Sequence, residues 1–180
     1  MKADSYPSDF KPNFSCEYSV TISHPLSTTF PVLGTDQGLE RVISLSSLAS
    51  DFVALDKDNV AVDGKLFDAS VRTAPSSDSG FPRQAFRFKE SFKILPGLNL
   101  HVGLQGTFTW DDEQNVALYE TLTDKGITIR KLRWLEALDD GATRVNERIE
   151  GQCSWLLQGI TQKMARDGHK AHMDSYHTLF

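Results

Sequence analysis

At 180 residues and 20.1 kDa the chain is long enough for one domain with a real core and too short for two ordinary ones. A formal charge of −5 and a pI near 5.5, with no run of Lys or Arg, exclude an electrostatic footprint for nucleic acid. No stretch approaches the ~18 consecutive apolar residues of a membrane span, and Met1 to Ser15, with scattered charges and no apolar centre, is read as carrying no secretory signal. Cys16 and Cys153 lack CxxC spacing, which predicts two buried, reduced thiols and a cytoplasmic setting.

In chain order, residues 1–15, with Pro7 and Pro12, read as an extended arm, and residues 16–180 as a single domain. Cys16, Tyr18, Val20 and Ile22 share one face of a first strand, Cys16 to Ser23. Two short helices follow. Ser27 or Thr28 can cap the first, which Gly34 stops, and Asp36 can cap the second, with Leu39, Val42 and Ile43 inward. One strand and a loop around Asp63-Gly64 are expected between Asp51 and Thr73, and the Pro-Ser-Ser-Asp-Ser-Gly-Phe-Pro composition makes 74–82 a surface loop.

From Gln84 the pattern is regular, with strands expected at 84–95, 98–110, 115–123, 127–137 and 143–153. Their connectors are short: Pro96-Gly97, Asp111 to Gln114, Asp124-Lys125-Gly126 and Asp139-Asp140-Gly141. Connectors of that length join antiparallel neighbours. Gly106 marks an expected bend or bulge. Ser154 to Phe180 reads as one long helix capped by Ser154, its inward stripe being Leu157, Ile160, Met164, Gly168, Ala171, Ser175 and Leu179.

Three strands each carry one glutamate in an apolar row. Glu90 lies among Phe86, Phe88, Phe92 and Ile94, Glu120 among Val116, Leu118 and Leu122, and Glu147 between Val145 and Ile149. A carboxylate on a buried face needs a partner, water or a raised pKa. Two readings stand: an ion pair that fixes register, or a general acid or base whose pKa apolar walls raise. The facing of 127–137 stays open between a row with Lys131 and Arg133 and a row with Arg130 and Trp134. Tyr119 falls on the row opposite Glu120 and is expected outside. His169 and His172 have no third ligand at metal spacing; a solvated face suits the pair, although His172 borders the apolar stripe. No metal or cofactor is expected, and no HExxH, GxSxG or Walker pattern occurs.

One strand, two short helices, an antiparallel meander and a long carboxy-terminal helix resemble the START-like, or SRPBCC, helix-grip superfamily. The texture is similar to that of small fungal members in three places: Phe92 to Leu98, Arg144 to Gly151, and the closing His172-Met173-Asp174-Ser175-Tyr176-His177. The resemblance implies an α+β fold, with about seven curved antiparallel strands around the long helix and a hydrophobic cavity between them. Its members include lipid and hormone binders, aromatases and cyclases, cofactor-free lyases and chaperone regulators, so fold does not select function.

The expected partner is a hydrophobic small molecule, terpenoid or polyketide-like, converted by cofactor-free cyclisation, isomerisation or elimination. Glu147 is the expected acid or base, helped by Arg130 or Lys131. Phe86, Phe88, Glu90, Phe92, Val102, Leu104, Phe108, Glu120, Met164, Gly168 and His172 are the expected ligand contacts. The alternatives are a carrier without catalysis and an interaction module using Arg87, Lys89 and Lys93 on the outer face.

Overall fold

The computed structural model describes residues 10–62, 64–68, 71–95 and 98–180; most of the expected arm, Asp63 and the Pro96-Gly97 turn lie outside the described residues. Among the described residues eight strands form one curved antiparallel sheet. In chain order they are β1 (Phe14–Ile22), β2 (Ala49–Val60), β3 (Ser76–Ser77), β4 (Phe81–Leu95), β5 (Leu98–Asp111), β6 (Val116–Thr123), β7 (Thr128–Ala137) and β8 (Thr143–Gln152). The spatial order is β1-β8-β7-β6-β5-β4-β2-β3. Period-two patterning placed the five later strands to within a few residues. The strand not anticipated is β3, two residues inside the expected 74–82 loop that pair with Asn59 and Val60.

Among the described residues there are three α-helices: α1 (Leu26–Gly34), α2 (Leu39–Ser44) and α3 (Gln158–Asp174). Neither Ser27 nor Thr28 caps α1, whose N-cap is Pro25. Between α1 and α2 a single 3-10 turn, Asp36–Gly38, is capped by Thr35 rather than Asp36, its hydroxyl accepting from the Gln37 N–H. The long helix starts at Gln158 instead of Ser154 and ends where Ser175 Oγ donates to the carbonyls of Ala171 and His172; another 3-10 turn, Tyr176–Leu179, follows.

Helix α3 crosses the concave face above β1 and buries Ala165 in part and His169, Met173 and then Tyr176 fully. The buried stripe is therefore rotated from the expected one. Leu157, Ile160 and Met164 keep 39%, 64% and 42% of their surface exposed, and Gly168 and Ala171 are exposed too.

One end of the concave face is closed by α1, α2 and the end of α3. Phe30, Leu33, Val42, Met173 and Tyr176 pack there on Ile22, Leu135 and Val145, and Leu39 and Ile43 cover Phe86, Phe108, Trp110 and Tyr119. The opposite face of the sheet is covered as well. Val60, Leu66 and Val71 seal Val116, Leu118 and Leu132, and Arg83 Nη1 pins this flap by donating to the carbonyls of Val71 (2.6 Å) and Ala74 (2.9 Å).

That outer cover overturns two expected facings. Both rows of β6 are buried, so apolarity could not say which row faces the concave side. Glu120 points outward, accepting the Val71 N–H at 2.9 Å, and Arg130 across from it donates to the Phe67 carbonyl at 2.7 Å. Neither can act on a ligand at the concave face. Gly106 is corrected too: pairing runs unbroken on both sides of it, and a Cβ there would strike the Glu120 carbonyl on β6.

Candidate functional site

At the border between the closed and open ends of the concave face lies a buried charged cluster. In-register pairing puts Tyr18, Glu147 and Arg133 in one row and Ile149, Lys131 and Tyr119 in the next. Arg133 Nε donates to Glu147 Oε1 at 2.5 Å. Its Nη1 donates to the Leu33 carbonyl at the end of α1 and to the Tyr119 hydroxyl at 3.1 Å. Its Nη2 donates to the Tyr176 hydroxyl at 2.6 Å, and Tyr176 in turn donates to Glu147 Oε1 at 2.6 Å. The other carboxylate oxygen meets His169 Nε2 at 2.9 Å and Lys131 Nζ at 3.8 Å.

Glu147 is thus fully engaged. Burial pushes its pKa up, but Arg133 above all, then Lys131 and His169, hold it well below the usual carboxylate range. The expectation of a raised pKa at Glu147 is overturned; at neutral pH it is an anion inside a hydrogen-bonded cage. The carboxyl that burial does raise is Glu90, half-buried on β4, with Lys131 opposing the shift. Arg133 stays protonated because Glu147 outweighs the cost of its burial, and burial keeps the Tyr119 and Tyr176 phenols neutral.

Lys131 differs from its neighbours. Its side chain is 17% exposed, and burial lowers its pKa to about 8 against the pull of Glu147. Its ammonium lies 4.3 Å from the centre of the Tyr119 ring. Among the described residues it has one carboxylate contact, the 3.8 Å approach to Glu147. Tyr119 accepts from Arg133 and keeps its own O–H proton for another acceptor.

Of the other expected ligand contacts, Phe86, Phe88, Glu90 and Phe92 face the concave side with Val102, Leu104 and Phe108, and Phe86 and Phe108 are fully buried under α2. Toward the open end, Ile149 is partly exposed where Val145 is fully buried, and Leu100 retains 38% of its surface. On the outer face, Arg87 and Lys89 are exposed, Lys89 pairing with Asp51 at 2.9 Å; the Lys93 side chain lies outside those described. A separate hollow of about 370 Å³ next to Leu66, Phe67 and Trp134 holds none of the concave-face charges.

Sequence reasoning missed Tyr119, Tyr176 and His169. The continuous apolar run Val116-Ala117-Leu118-Tyr119 signals a strand buried on both faces, and His169, Met173 and Tyr176 recur at steps of four and three. His172, expected on a solvated face or near a ligand, is largely buried; its Nε2–H donates to the Val42 carbonyl at 2.7 Å.

Burial, helped by Lys131 and Arg133 and opposed by Glu147 and the Val42 carbonyl, lowers the pKa of His172 to about 4 from 6.5. The unfolded chain therefore binds a proton that the folded one refuses between those values. Stability from this group is complete above pH 6.5 and falls as pH drops toward 4. At pH 5 the loss is about 2 kcal/mol. Unfolding free energies from urea titrations at pH 7 and pH 5 are expected to differ by that amount in wild type and by much less in His172→Gln; equal losses would show that another group is responsible.

No family model matches the sequence, and no curated protein matches it by sequence. Solved structures do match. The Zhui aromatase/cyclase from Streptomyces sp. R1128 superposes with a TM-score of 0.62 at 10% identity, covering 92% of this chain and 92% of that one. Norcoclaurine synthase from Thalictrum flavum gives 0.59 at 12% identity over 92% of this chain and 84% of that one. The chain has the helix-grip fold. A third helix-grip match, the protein TTHA0849 from Thermus thermophilus, gives 0.57 at 13% identity over 91% and 94% of the two chains. Identities this low speak for the fold alone. Among the described residues no helix is long and apolar enough to cross a membrane, and no cluster of His, Cys, Asp and Glu could hold a metal ion.

Proposed function

We propose that the chain binds an apolar small molecule between the open end of the concave sheet and α3, and converts it by cofactor-free cyclisation, isomerisation or elimination. The unit responsible is the single domain proposed for residues 16–180. The observation that carries this reading is Lys131: an amine with a depressed pKa, open to the concave face, beside a phenol with a proton to donate. The walls suit an apolar guest, since Leu100, Leu157 and Met164 keep exposed surface that a ligand lying there would bury. Two of the fold's matches are named for reactions on small molecules, an aromatase/cyclase and norcoclaurine synthase.

In this mechanism Lys131, as the free amine, removes a proton next to a carbonyl, and the Tyr119 hydroxyl donates a hydrogen bond to the oxygen on which charge develops. Glu90, a carboxyl with raised proton affinity, returns a proton from the β4 wall. Glu147 and Arg133 are positioning residues: they hold Tyr119 and set the field at Lys131 without touching the substrate. The apolar walls hold one reactive conformer, replacing entropy that the reaction in water must supply.

The test is to incubate a mixture of aromatic polyketide precursors and terpenoids with native or heat-killed protein, denature, and analyse by chromatography and mass spectrometry. A compound lost only with native protein, and replaced by an isomer or a dehydrated product, is the expected result. Full recovery of every compound, with some held before denaturation, would favour carriage without chemistry. The complete engagement of Glu147 is the observation favouring that second reading, because such a cluster can serve stability alone.

A further inference from the structure

A second constellation shares Glu147 but lies on its β1 side, away from Lys131 on β7. β1 is the edge strand of the sheet, and Cys16, half-buried on its concave side, lies beneath α3. Cys16 Sγ is 3.5 Å from His169 Nδ1, and the other nitrogen of the same ring is 2.9 Å from Glu147 Oε2. Glu147 is an anion, so His169 Nε2 carries the hydrogen of that bond. The tautomer fixed in this way presents a bare Nδ1 lone pair to the thiol. Thiol, imidazole and carboxylate stand in the order that activates a nucleophile: a base within reach of it, and a third group orienting the base. Neither Cys16 nor His169 has a part in the chemistry proposed at Lys131.

We propose that Cys16 is a covalent-attachment site for α,β-unsaturated carbonyl compounds, with His169 as its general base and Glu147 orienting the imidazole. In the step, the thiol proton passes to His169 Nδ1 while sulfur bonds to the β-carbon and the alkene π pair moves onto the carbonyl oxygen as an enolate. His169 then returns the proton to the α-carbon. The product is a saturated thioether, with no leaving group and no change of oxidation state requiring a co-reactant. The transient imidazolium lies against Glu147, and Arg166, close enough to act on the Cys16 thiol electrostatically, favours the anionic forms.

The other groups around the pair are consistent with a thiol that needs a base. Burial and then Glu147 push the Cys16 pKa up, with Arg166 opposing, so the resting group is a thiol. On β1, Tyr18 meets the His169 ring edge-on, and on β7, Lys131 Nζ approaches the same Glu147 oxygen as His169, at 3.8 Å, while Arg133 Nε holds the other. Cys153 is the internal control. It is buried and free, and its thiol faces Asn13 Oδ1 at 3.8 Å with no imidazole partner in hydrogen-bond range among the described residues.

The test uses 2-cyclopentenone on the full-length protein, with peptide mass spectrometry to assign and time the adducts and glutathione as a reference thiol. Cys16 is expected to be alkylated at least tenfold faster at pH 7 than Cys153, and tenfold faster than Cys16 in folded His169→Gln. The wild-type rate is also expected to level off below pH 8, whereas an unassisted thiol gains tenfold per pH unit until it ionises, near 8.5 for a free cysteine. A Cys16 rate that is unchanged or higher in His169→Gln, preferential labelling of Cys153, or a wild-type rate climbing tenfold per unit from pH 6 to 8 would each overturn the proposal. The wild-type pH profile decides if the variant does not fold.

Discussion

Replacing Glu147 with alanine is expected to destabilise the fold by about 3–5 kcal/mol, the cost of leaving one partner of a buried ion pair uncompensated. Arg133 has no route to solvent: it is fully buried, tied to Glu147, Tyr119, Tyr176 and the Leu33 carbonyl, and Glu147 keeps it charged. Removing the carboxylate also strips His169 Nε2 and the Tyr176 O–H of their acceptor. The folded pKa of Glu147 is depressed, so its contribution is complete above the ordinary carboxylate range and is lost only as pH falls through the lower folded value. The penalty is therefore expected at full size at neutral pH. Urea unfolding of wild type, Glu147→Ala and Glu147→Met/Arg133→Met measures it. The double variant removes both charges and is expected to lose less than Glu147→Ala. A single-variant loss under about 1 kcal/mol would mean that water reaches Arg133 and the cage is not sealed.

Lys131→Met is expected to lower turnover of the compound identified in the mixture of polyketide precursors and terpenoids by about 10²–10⁴, the range for losing a positioned acid or base. Binding is expected to change little, since the methionine preserves the apolar stem. Because the reactive form is the free amine and its pKa is about 8, wild-type kcat/KM is expected to rise through that pH and level off above it. Folding is not at risk in the way it is for Glu147: the substitution removes a desolvated ammonium whose one carboxylate contact among the described residues is the 3.8 Å approach to Glu147. Full turnover by a folded Lys131→Met would remove Lys131 from the mechanism, and a flat pH profile would count against the amine as base.

The contrast between these two residues shows what a pattern of side chains can carry. An isolated glutamate in an apolar row correctly marked Glu147 as a buried acid, because alternation along a half-buried strand reports facing directly. Whether that acid is poised or locked depends on Arg133, Tyr176 and His169, which come from β7, the end of the chain and α3. Nothing local to Val145-Glu147-Ile149 encodes them.

The antiparallel meander, the short helices after the first strand and the carboxy-terminal helix are all legible in the sequence, since each follows from periodicity and turn chemistry within a dozen residues. Facing on β6 and β7 is not. The flap holding Leu66 and Val71 folds back across the outer face, makes both rows of β6 apolar, and so erases the asymmetry by which a strand reports its inside. The same flap takes Glu120 and Arg130 away from the concave face and leaves Lys131 and Tyr119 there. The α3 stripe was misplaced for a related reason. Leu157, Ile160 and Met164 are apolar without being packed, whereas His169 is polar and buried, because the partners that decide this, β1 and Glu147, lie elsewhere in the chain. Local patterning was enough for the elements and their order; which acid is caged, which amine is free and which thiol meets an imidazole depend on contacts between residues 14 to 153 positions apart, which only the closed sheet brings together.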